Sequence, residues 1–481
     1  MKKTYSILIY LGLIVFVLSN FKSVNHNTGT FIFTVLSEEP MLPEVPYAYS
    51  DITMPRHVRI TDPGTGYGTG KVSTTSFDFL DDDIATLGRV LFYDKKLSAL
   101  ENISCGSCHA QEFSFADKTS FSEGVNNLTK RNSMQLNDIG WTDNNSFFWD
   151  MSESNLHEMI TLPLKDENEI GADINEIAIK LSATDYYPEL FTKAFDSPEV
   201  DESKIVEALV HFMSSMTTFN SRFDQKAEHG FVGFTPAERV GKNLFASACG
   251  TCHTQGNTTD DDLSSLEVIS MNPSHFTNGL PVLDNEDDLG AGSWAPGYER
   301  LFKVPTMRNI ELTGPHMHDG RFETLEEVIE HYSENVESSE WQTIIPEGGF
   351  GFTAAEKSNL LAFLKTLTDK SFINDIKFSN PFEPHVPFFE EEEEEEFSIT
   401  IPLDNMTIKP NPMEDFAIIE FNSRPEQKTE LRIFDGQGKL VDTEIITGGT
   451  YMLNKLDFGT GIYFLSFKQG QKTSTQKLIV Q

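Results

Sequence analysis

Apolar positions recur at helical spacing in two separate stretches of the chain. From Asp81-Asp82-Asp83 onward, Ile84, Leu87 and Leu91 fall on one face of a predicted helix that runs through Gly88-Arg89-Val90-Leu91-Phe92. A second helix opens at Thr235-Pro236-Ala237-Glu238, where Thr235 and Glu238 have capping-box spacing and Pro236 takes the first helical position. It continues Gly241-Lys242-Asn243-Leu244-Phe245, so a Gly-x-x-Leu-Phe stretch occurs in both. Each stretch is followed further on by another apolar helix. The first carries Ile205, Leu209, Phe212, Met213 and Met216; the second follows a capping box from Thr353 to Glu356 and carries Leu360, Leu361, Leu364 and Leu367. Amphipathic core helices are common, but a repeated order of them is not. It predicts a duplicated helical unit, with domains over 80–223 and 234–370. The stretch before Phe77 reads as mobile.

Beyond 370 the pattern changes. Prolines at 381, 384 and 387 precede seven consecutive glutamates, Glu390 to Glu396. Such a run repels itself and stays solvated, so 371–397 reads as an acidic linker without a binding role. Short alternating segments follow at 416–421, 430–434, 461–467 and 477–480, with Asp435-Gly436-Gln437-Gly438 as a turn. They predict a small all-β sandwich over 398–481. At the other end, Met1-Lys2-Lys3 precedes an apolar run from Ile7 to Leu18. A spanning helix needs about 20 apolar residues, so 1–20 reads as a secretory signal peptide, with an uncleaved anchor as the alternative. The formal net charge of −37 argues against a nucleic-acid partner, whose phosphates this surface would repel.

All four cysteines fall in two motifs, Cys105-Gly106-Ser107-Cys108-His109 and Cys249-Gly250-Thr251-Cys252-His253. Cys-x-x-Cys-His is the pattern of c-type haem attachment. Two thiols one helical turn apart reach the two vinyl groups of one porphyrin, and the adjacent histidine meets the iron. Redox dithiols, a zinc site and paired disulfides compete. A dithiol does not need the histidine, and zinc sites seldom repeat this pattern twice. The reading is therefore two covalently bound haems c, one in each of two tandem class I cytochrome c-like helical domains. In such a domain the first and last helices cross to close the pocket.

Longer stretches carry a resemblance. Leu91-Phe92-Tyr93-Asp94-Lys95-Lys96-Leu97-Ser98, Arg131-Asn132-Ser133, Phe148-Trp149-Asp150, Val304-Pro305-Thr306-Met307-Arg308-Asn309 and Leu312 through Phe322 stand in the order and spacing of the bacterial dihaem cytochrome c peroxidases, which include the MauG-type enzymes. The C-terminal segment, with Lys409-Pro410-Asn411-Pro412, Gly461-Ile462-Tyr463-Phe464 and Lys477-Leu478-Ile479-Val480, resembles a type IX secretion sorting domain. It implies passage through the periplasm, engagement of the secretion machinery, and a destination at the cell surface or outside.

The peroxidase resemblance implies that the haem on Cys105, Cys108 and His109 reduces hydrogen peroxide, with electrons from an external donor protein or small redox molecule. Those electrons arrive through the haem on Cys249, Cys252 and His253. Members that need reductive activation carry a distal histidine just after the Ser-x-Gly matched by Ser122-Glu123-Gly124. Here Val125 stands, which implies an open first iron. The family's distal acid lies twenty residues beyond the tryptophan of Phe-Trp-Asp, and that count reaches Glu169. Trp149 matches the tryptophan that passes charge between the haems. Asn132, Thr313 and Pro315 match a calcium site, where oxygen donors suit a hard cation. Peroxidases of the family place a methionine fourteen residues beyond the histidine of His-Asp-Gly; the count from His318 reaches Tyr332, and MauG-type proteins have tyrosine there. Met317 is the rival ligand, with His331 behind it. Val125 and Tyr332 lean towards the MauG-like branch, in which high-valent iron oxidises a protein residue or another molecule. A dihaem electron carrier without catalysis, and a surface haem-binding module, are the alternatives. Oligomeric state stays open, the family often forming homodimers.

Overall fold

The computed structural model describes residues 21–25, 31–35, 37–53, 55, 79–141, 147–227, 231, 233–253, 275–282, 288–337, 345–389, 407–413, 416–420, 428–447, 450–454, 458–469 and 472–481. The expected signal peptide and the glutamate run lie outside the described residues. Among those described, no helix is long and apolar enough to cross a membrane.

The predicted helix after Asp81 is α1 (Asp82–Tyr93), and the Asp81 carboxylate caps it by accepting from the backbone N–H of Asp83 and Ile84. α2 (Cys105–Cys108) is a single turn. Next come α3 (Leu156–Lys165), α4 (Ile174–Ser182), α5 (Tyr187–Phe195) and α6 (Glu202–Ser214). The second helical stretch holds α7 (Arg222–Ala227), α8 (Pro236–Ala248), α9 (Gly250–His253), α10 (Leu325–Glu334) and α11 (Ala354–Lys365). Both expected capping boxes form, Thr235 with Glu238 and Thr353 with Glu356. Thr324 and Glu327 add a third at the start of α10.

The two Gly-x-x-Leu-Phe stretches have the same physical job. A Cβ added to Gly88 would stand 1.9 Å from the Ala208 carbonyl oxygen and 2.8 Å from Phe212 Cβ, so α1 crosses α6 backbone to backbone. A Cβ added to Gly241 would stand 1.9 Å from the Asn359 carbonyl oxygen and 2.8 Å from Phe363 Cβ, and α8 crosses α11 in the same way. Around the first crossing Leu87, Leu91, Phe92, Leu209 and Phe212 are fully buried, and Phe245, Leu360 and Phe363 fill the second. Alanine is the better helix former by about 1 kcal/mol. Even so, Gly88→Ala and Gly241→Ala are each expected to destabilise the protein by roughly 1–3 kcal/mol, because overpacking a close crossing outweighs propensity. Urea unfolding of the two variants checks this, and a stabilised variant would refute the close-approach argument.

Two stretches are more ordered than the sequence suggested. Within the N-terminal stretch expected to be mobile, Tyr49 is fully buried in the first core and donates its hydroxyl to the Lys377 carbonyl at 3.0 Å. The start of the expected linker folds back as α12 (Lys370–Asn374), with Phe372, Ile373 and Phe378 buried in the same core. Arg89 Nε and the Tyr93 hydroxyl each donate at 2.7 Å, to the carbonyls of Ser379 and Phe378. These aromatics lie on no regular period, which is why the prolines after them dominated the reading.

Short antiparallel pairs join β1 (Phe21–Asn25) to β2 (Phe31–Val35) and β3 (His275–Phe276) to β4 (Phe302–Lys303). The C-terminal region is all-β, as expected. It contains β5 (Thr407–Lys409), β6 (Phe416–Glu420), β7 (Lys428–Asp435), β8 (Leu440–Thr447), β9 (Thr450–Asn454), β10 (Gly461–Gln469) and β11 (Lys472–Val480). One sheet has the order β11-β10-β7-β8 and the other β5-β6-β9. Ala417, Ile419, Leu431, Ile433, Leu465, Phe467, Leu478 and Val480 alternate inward into one core shared by both sheets.

Candidate haem-binding cavity

Both cysteine motifs open on one cavity of about 1710 Å³. The first motif forms α2, where the Ser104 N–H bonds to Ser107 Oγ at 2.9 Å and the His109 N–H closes the turn on the Cys105 carbonyl at 2.9 Å. The second follows α8 directly, and the His253 N–H reaches the Cys249 carbonyl at 3.0 Å. In each case a helical turn sets both thiols and the histidine on the cavity wall.

Burial pushes the thiols of Cys105 and Cys249 up to about 12, and those of Cys108 and Cys252 up to about 11. A wall that disfavours thiolates suits neutral thioethers better than metal thiolates. None of the four forms a disulfide. His109 Nδ1 lies 2.8 Å from the Phe115 carbonyl oxygen, and His253 Nδ1 lies 3.2 Å from that of Pro305. A carbonyl on Nδ1 fixes the tautomer and leaves Nε2 as the coordinating nitrogen. Burial lowers the pKa of both histidines, that of His253 to about 4, so each is held neutral, as a ligand must be. Among the described residues no group of three His, Cys, Asp or Glu side chains could hold a metal ion. The two thiols and the neutral histidine at each motif therefore fit covalent haem.

The other predicted residues line the same cavity: Trp149, Glu169, Tyr332, Asn132, Thr313, Pro315 and Met317. Glu169 sits in a loop pinned to its neighbour, for its carbonyl accepts the Val125 N–H at 2.8 Å and Asn127 Nδ2 donates to Asn168 Oδ1 at 2.6 Å. Burial, then the Asp166 carboxylate, raises the Glu169 pKa. Val125 is not part of the cavity lining; it is buried, with Cγ2 3.0 Å from where a Cβ on Gly171 would stand. Its backbone positions Glu169, a part that sequence spacing did not suggest.

Trp149 donates its indole N–H to the Asn132 carbonyl at 2.8 Å, while its own carbonyl accepts from the Lys303 N–H at 2.7 Å. The Asn132 N–H in turn donates to the His318 carbonyl at 2.8 Å. The tryptophan thus ties the segment around residue 132 to the one that carries Pro305. At the second motif Tyr332 lines the cavity with Cys249 and Cys252, and burial and then the Cys252 and Cys249 thiols raise its pKa. The Met317 sulfur accepts from Asn278 Nδ2 at 3.6 Å, and His331 Nε2 lies 2.9 Å from the Asn278 carbonyl oxygen.

One group in the wall had no predicted role. Arg131 pairs with Asp150 at 2.7 Å and with both carboxylate oxygens of Asp288 at 2.7 and 2.8 Å. Arg131 and Asp150 flank Asn132 and Trp149 in sequence, a signal that was available. Asp288 has no such signature.

The pattern of the di-haem cytochrome c peroxidases matches residues 82–230. The cytochrome c551 peroxidase of Nitrosomonas europaea is 33% identical over 299 residues, covering 60% of this chain and 80% of that one. The chain belongs to the bacterial dihaem cytochrome c peroxidase and MauG-like family. Another relative in this peroxidase family, the methylamine utilization protein MauG of Methylophilus methylotrophus, is 28% identical over 302 residues, covering 59% of this chain and 82% of that one. The crystal structure of a MauG-like protein associated with microbial copper homeostasis superposes with a TM-score of 0.55 at 30% identity, covering 70% of this chain and 99% of that one. Residues 407–481 match the secretion system C-terminal sorting domain. This dihaem peroxidase relative is thus an exported protein addressed to the surface by the type IX route.

Proposed function

We propose that the protein is a dihaem peroxidase built from two tandem cytochrome c-like units, with a β-sandwich sorting domain as its address. The observation that carries the proposal is the single cavity on which both Cys-x-x-Cys-His motifs, Glu169, Trp149 and Tyr332 converge. The repeated Gly88 and Gly241 helix crossings support the tandem reading. Cys105, Cys108 and His109 would hold one haem, and Cys249, Cys252 and His253 the other. When bound, these groups supply the iron that exchanges electrons with peroxide and with an external donor.

The chain's own residues do the rest. Glu169, its pKa raised by burial and then by the Asp166 carboxylate, takes a proton from the near oxygen of hydrogen peroxide and returns it to the leaving oxygen. Trp149, fixed through its indole N–H, offers an aromatic path between the two sites. Tyr332, which lines the cavity with Cys249 and Cys252, would hold the second haem in preference to Met317, whose sulfur accepts from Asn278. The oxygens of Asn132, Thr313 and Pro315 are the proposed calcium donors; the Asn132 amide is already oriented by Nδ2 donating to the Thr119 carbonyl at 3.1 Å.

The test is the optical and electron paramagnetic resonance spectrum of the oxidised holoprotein, before and after one equivalent of peroxide. A high-spin component that responds to peroxide without prior reduction is expected, because no histidine stands at Val125. Two low-spin haems indifferent to peroxide, in both oxidised and half-reduced protein, would leave an electron carrier.

A further inference from the structure

The short return that follows the first cysteine motif brings a carboxylate up to His109. The Ala110 N–H donates to the Ala116 carbonyl at 3.0 Å and the Phe115 N–H to the Ala110 carbonyl at 2.9 Å, and the antiparallel register of that pair sets Asp117 opposite His109. The same return carries the Phe115 carbonyl that holds His109 Nδ1. Asp117 is buried. Its Oδ1 accepts the Thr119 N–H at 3.0 Å and lies 2.9 Å from the Thr119 hydroxyl, and its Oδ2 accepts the Ser122 hydroxyl at 2.6 Å. Ser122 is fully buried, and its Oγ lies 2.7 Å from that of Ser133, which lines the cavity. Beside Ser122, the Glu123 carbonyl lies 4.0 Å from Cys108 Sγ. Asp117 and Ser122 therefore back on to the second cysteine of the motif as well as its histidine.

The Thr119 contacts are those of an ordinary turn, which forms equally well at the surface. Burial is the unusual part, because a carboxylate gives up its hydration there and needs donors in place of water. Here the donors are an amide and two hydroxyls. All are uncharged, so these bonds spread the charge without cancelling it. In a wall of low polarity such a charge reaches further than it would in water. Its influence registers at both residues: burial lowers the His109 pKa while the Phe115 carbonyl and then Asp117 oppose it, and burial raises the Cys108 pKa while Ser122 lowers it and Asp117 adds to the rise. We propose that Asp117 is a fixed negative charge that lowers the reduction potential of the haem attached at Cys105 and Cys108. An iron held oxidised at rest is one that meets peroxide without prior reduction. The inference deepens the dihaem peroxidase reading and rests on it.

The experiment uses full-length, haem-loaded wild type, Asp117→Asn, Asp117→Ser and Asp117→Glu, with haem counted per chain by its pyridine complex. Spectroelectrochemical titration then gives the potential of each haem. Asparagine keeps the size of the side chain and an oxygen for the Thr119 N–H, and removes only the charge. Asp117→Asn and Asp117→Ser are each expected to raise the reduction equilibrium constant of the first haem by about tenfold, with the second haem moving less. Asp117→Glu keeps the charge and is expected to stay near wild type. If one neutral variant fails to load, the other carries the test. Unchanged potentials in a fully loaded neutral variant would overturn the proposal, as would equal shifts at both haems. So would an Asp117→Glu shift as large as that of Asp117→Asn, since geometry rather than charge would then be responsible. Loss of the first haem from both neutral variants would make Asp117 a brace of the return and overturn it too. A wild type with fewer than two haems per chain would instead fail the dihaem reading itself.

Discussion

Replacing Glu169 with glutamine is expected to slow peroxide turnover about 10²–10⁴-fold, the usual contribution of a positioned proton-transfer group, while both haems stay attached. Glutamine keeps the size of the side chain and the backbone acceptor that receives the Val125 N–H, so the pinned loop should persist. The pH profile gives a sharper readout. Glu169 must be ionised to accept the first proton, and burial followed by Asp166 raises its pKa. Wild-type kcat/KM should therefore fall on acidification at a higher pH than an ordinary glutamate would give, and the variant should lose that acid limb. An unchanged rate in Glu169→Gln would remove the residue from the chemistry. A slowed rate with the limb intact would reduce it to a positioning role. Glu169→Asp, which keeps the carboxyl but shortens its reach, should fall between the two.

Glu169 was reachable from sequence only because a fixed count from Trp149 led to it; an acidic loop with Asp166 and Glu167 beside it is otherwise unremarked surface. The haem-attachment residues were legible for a stronger reason. Their chemistry needs contiguous residues on one turn of helix, so the whole signal lies within five positions. Helix starts were legible for the same reason, since a capping box spans four residues and each expected one forms. What escaped the sequence was long-range. Tyr49 and Phe378 meet in one core although they are 329 positions apart and neither lies in a periodic stretch. Arg131 finds Asp288 across 157 positions. Strands β8 and β9 went unread because β8 places Asp442 and Glu444 among its apolar residues and β9 presents Met452 outward, which blurs the alternation. Local chemistry is written in the chain, whereas pairings that depend on the finished packing are not.

The largest stability effect is expected at such a pairing. Arg308 is 1% exposed, and its guanidinium grips Asp224 with two bonds of 2.8 Å while donating to the Thr218 carbonyl at 2.6 Å. Ser221 donates to the same carboxylate through its N–H at 3.0 Å and its hydroxyl at 2.5 Å. Burial disfavours the guanidinium charge, but Asp224 first, then Asp138 and Asp369, more than restore it. The next residue, Asn309, donates to Ser114 Oγ at 2.9 Å and accepts from the Asp369 N–H at 2.6 Å, so this stretch joins the two helical units. Arg308→Met leaves a buried carboxylate without its counter-charge and should cost about 3–5 kcal/mol. Arg308→Met with Asp224→Leu removes both charges and should recover most of that loss, since a buried pair often contributes little over an apolar replacement. Unfolding in urea, followed by the far-ultraviolet helical signal, distinguishes the cases. The single variant also carries a pH signature. With the guanidinium gone, Asp224 keeps its Ser221 donors but loses its counter-charge, so the variant's deficit is expected to shrink as acid protonates the carboxylate. A double variant no more stable than Arg308→Met would mean that the shape of the guanidinium, packed over the Phe219 ring at 5.3 Å, matters more than its charge.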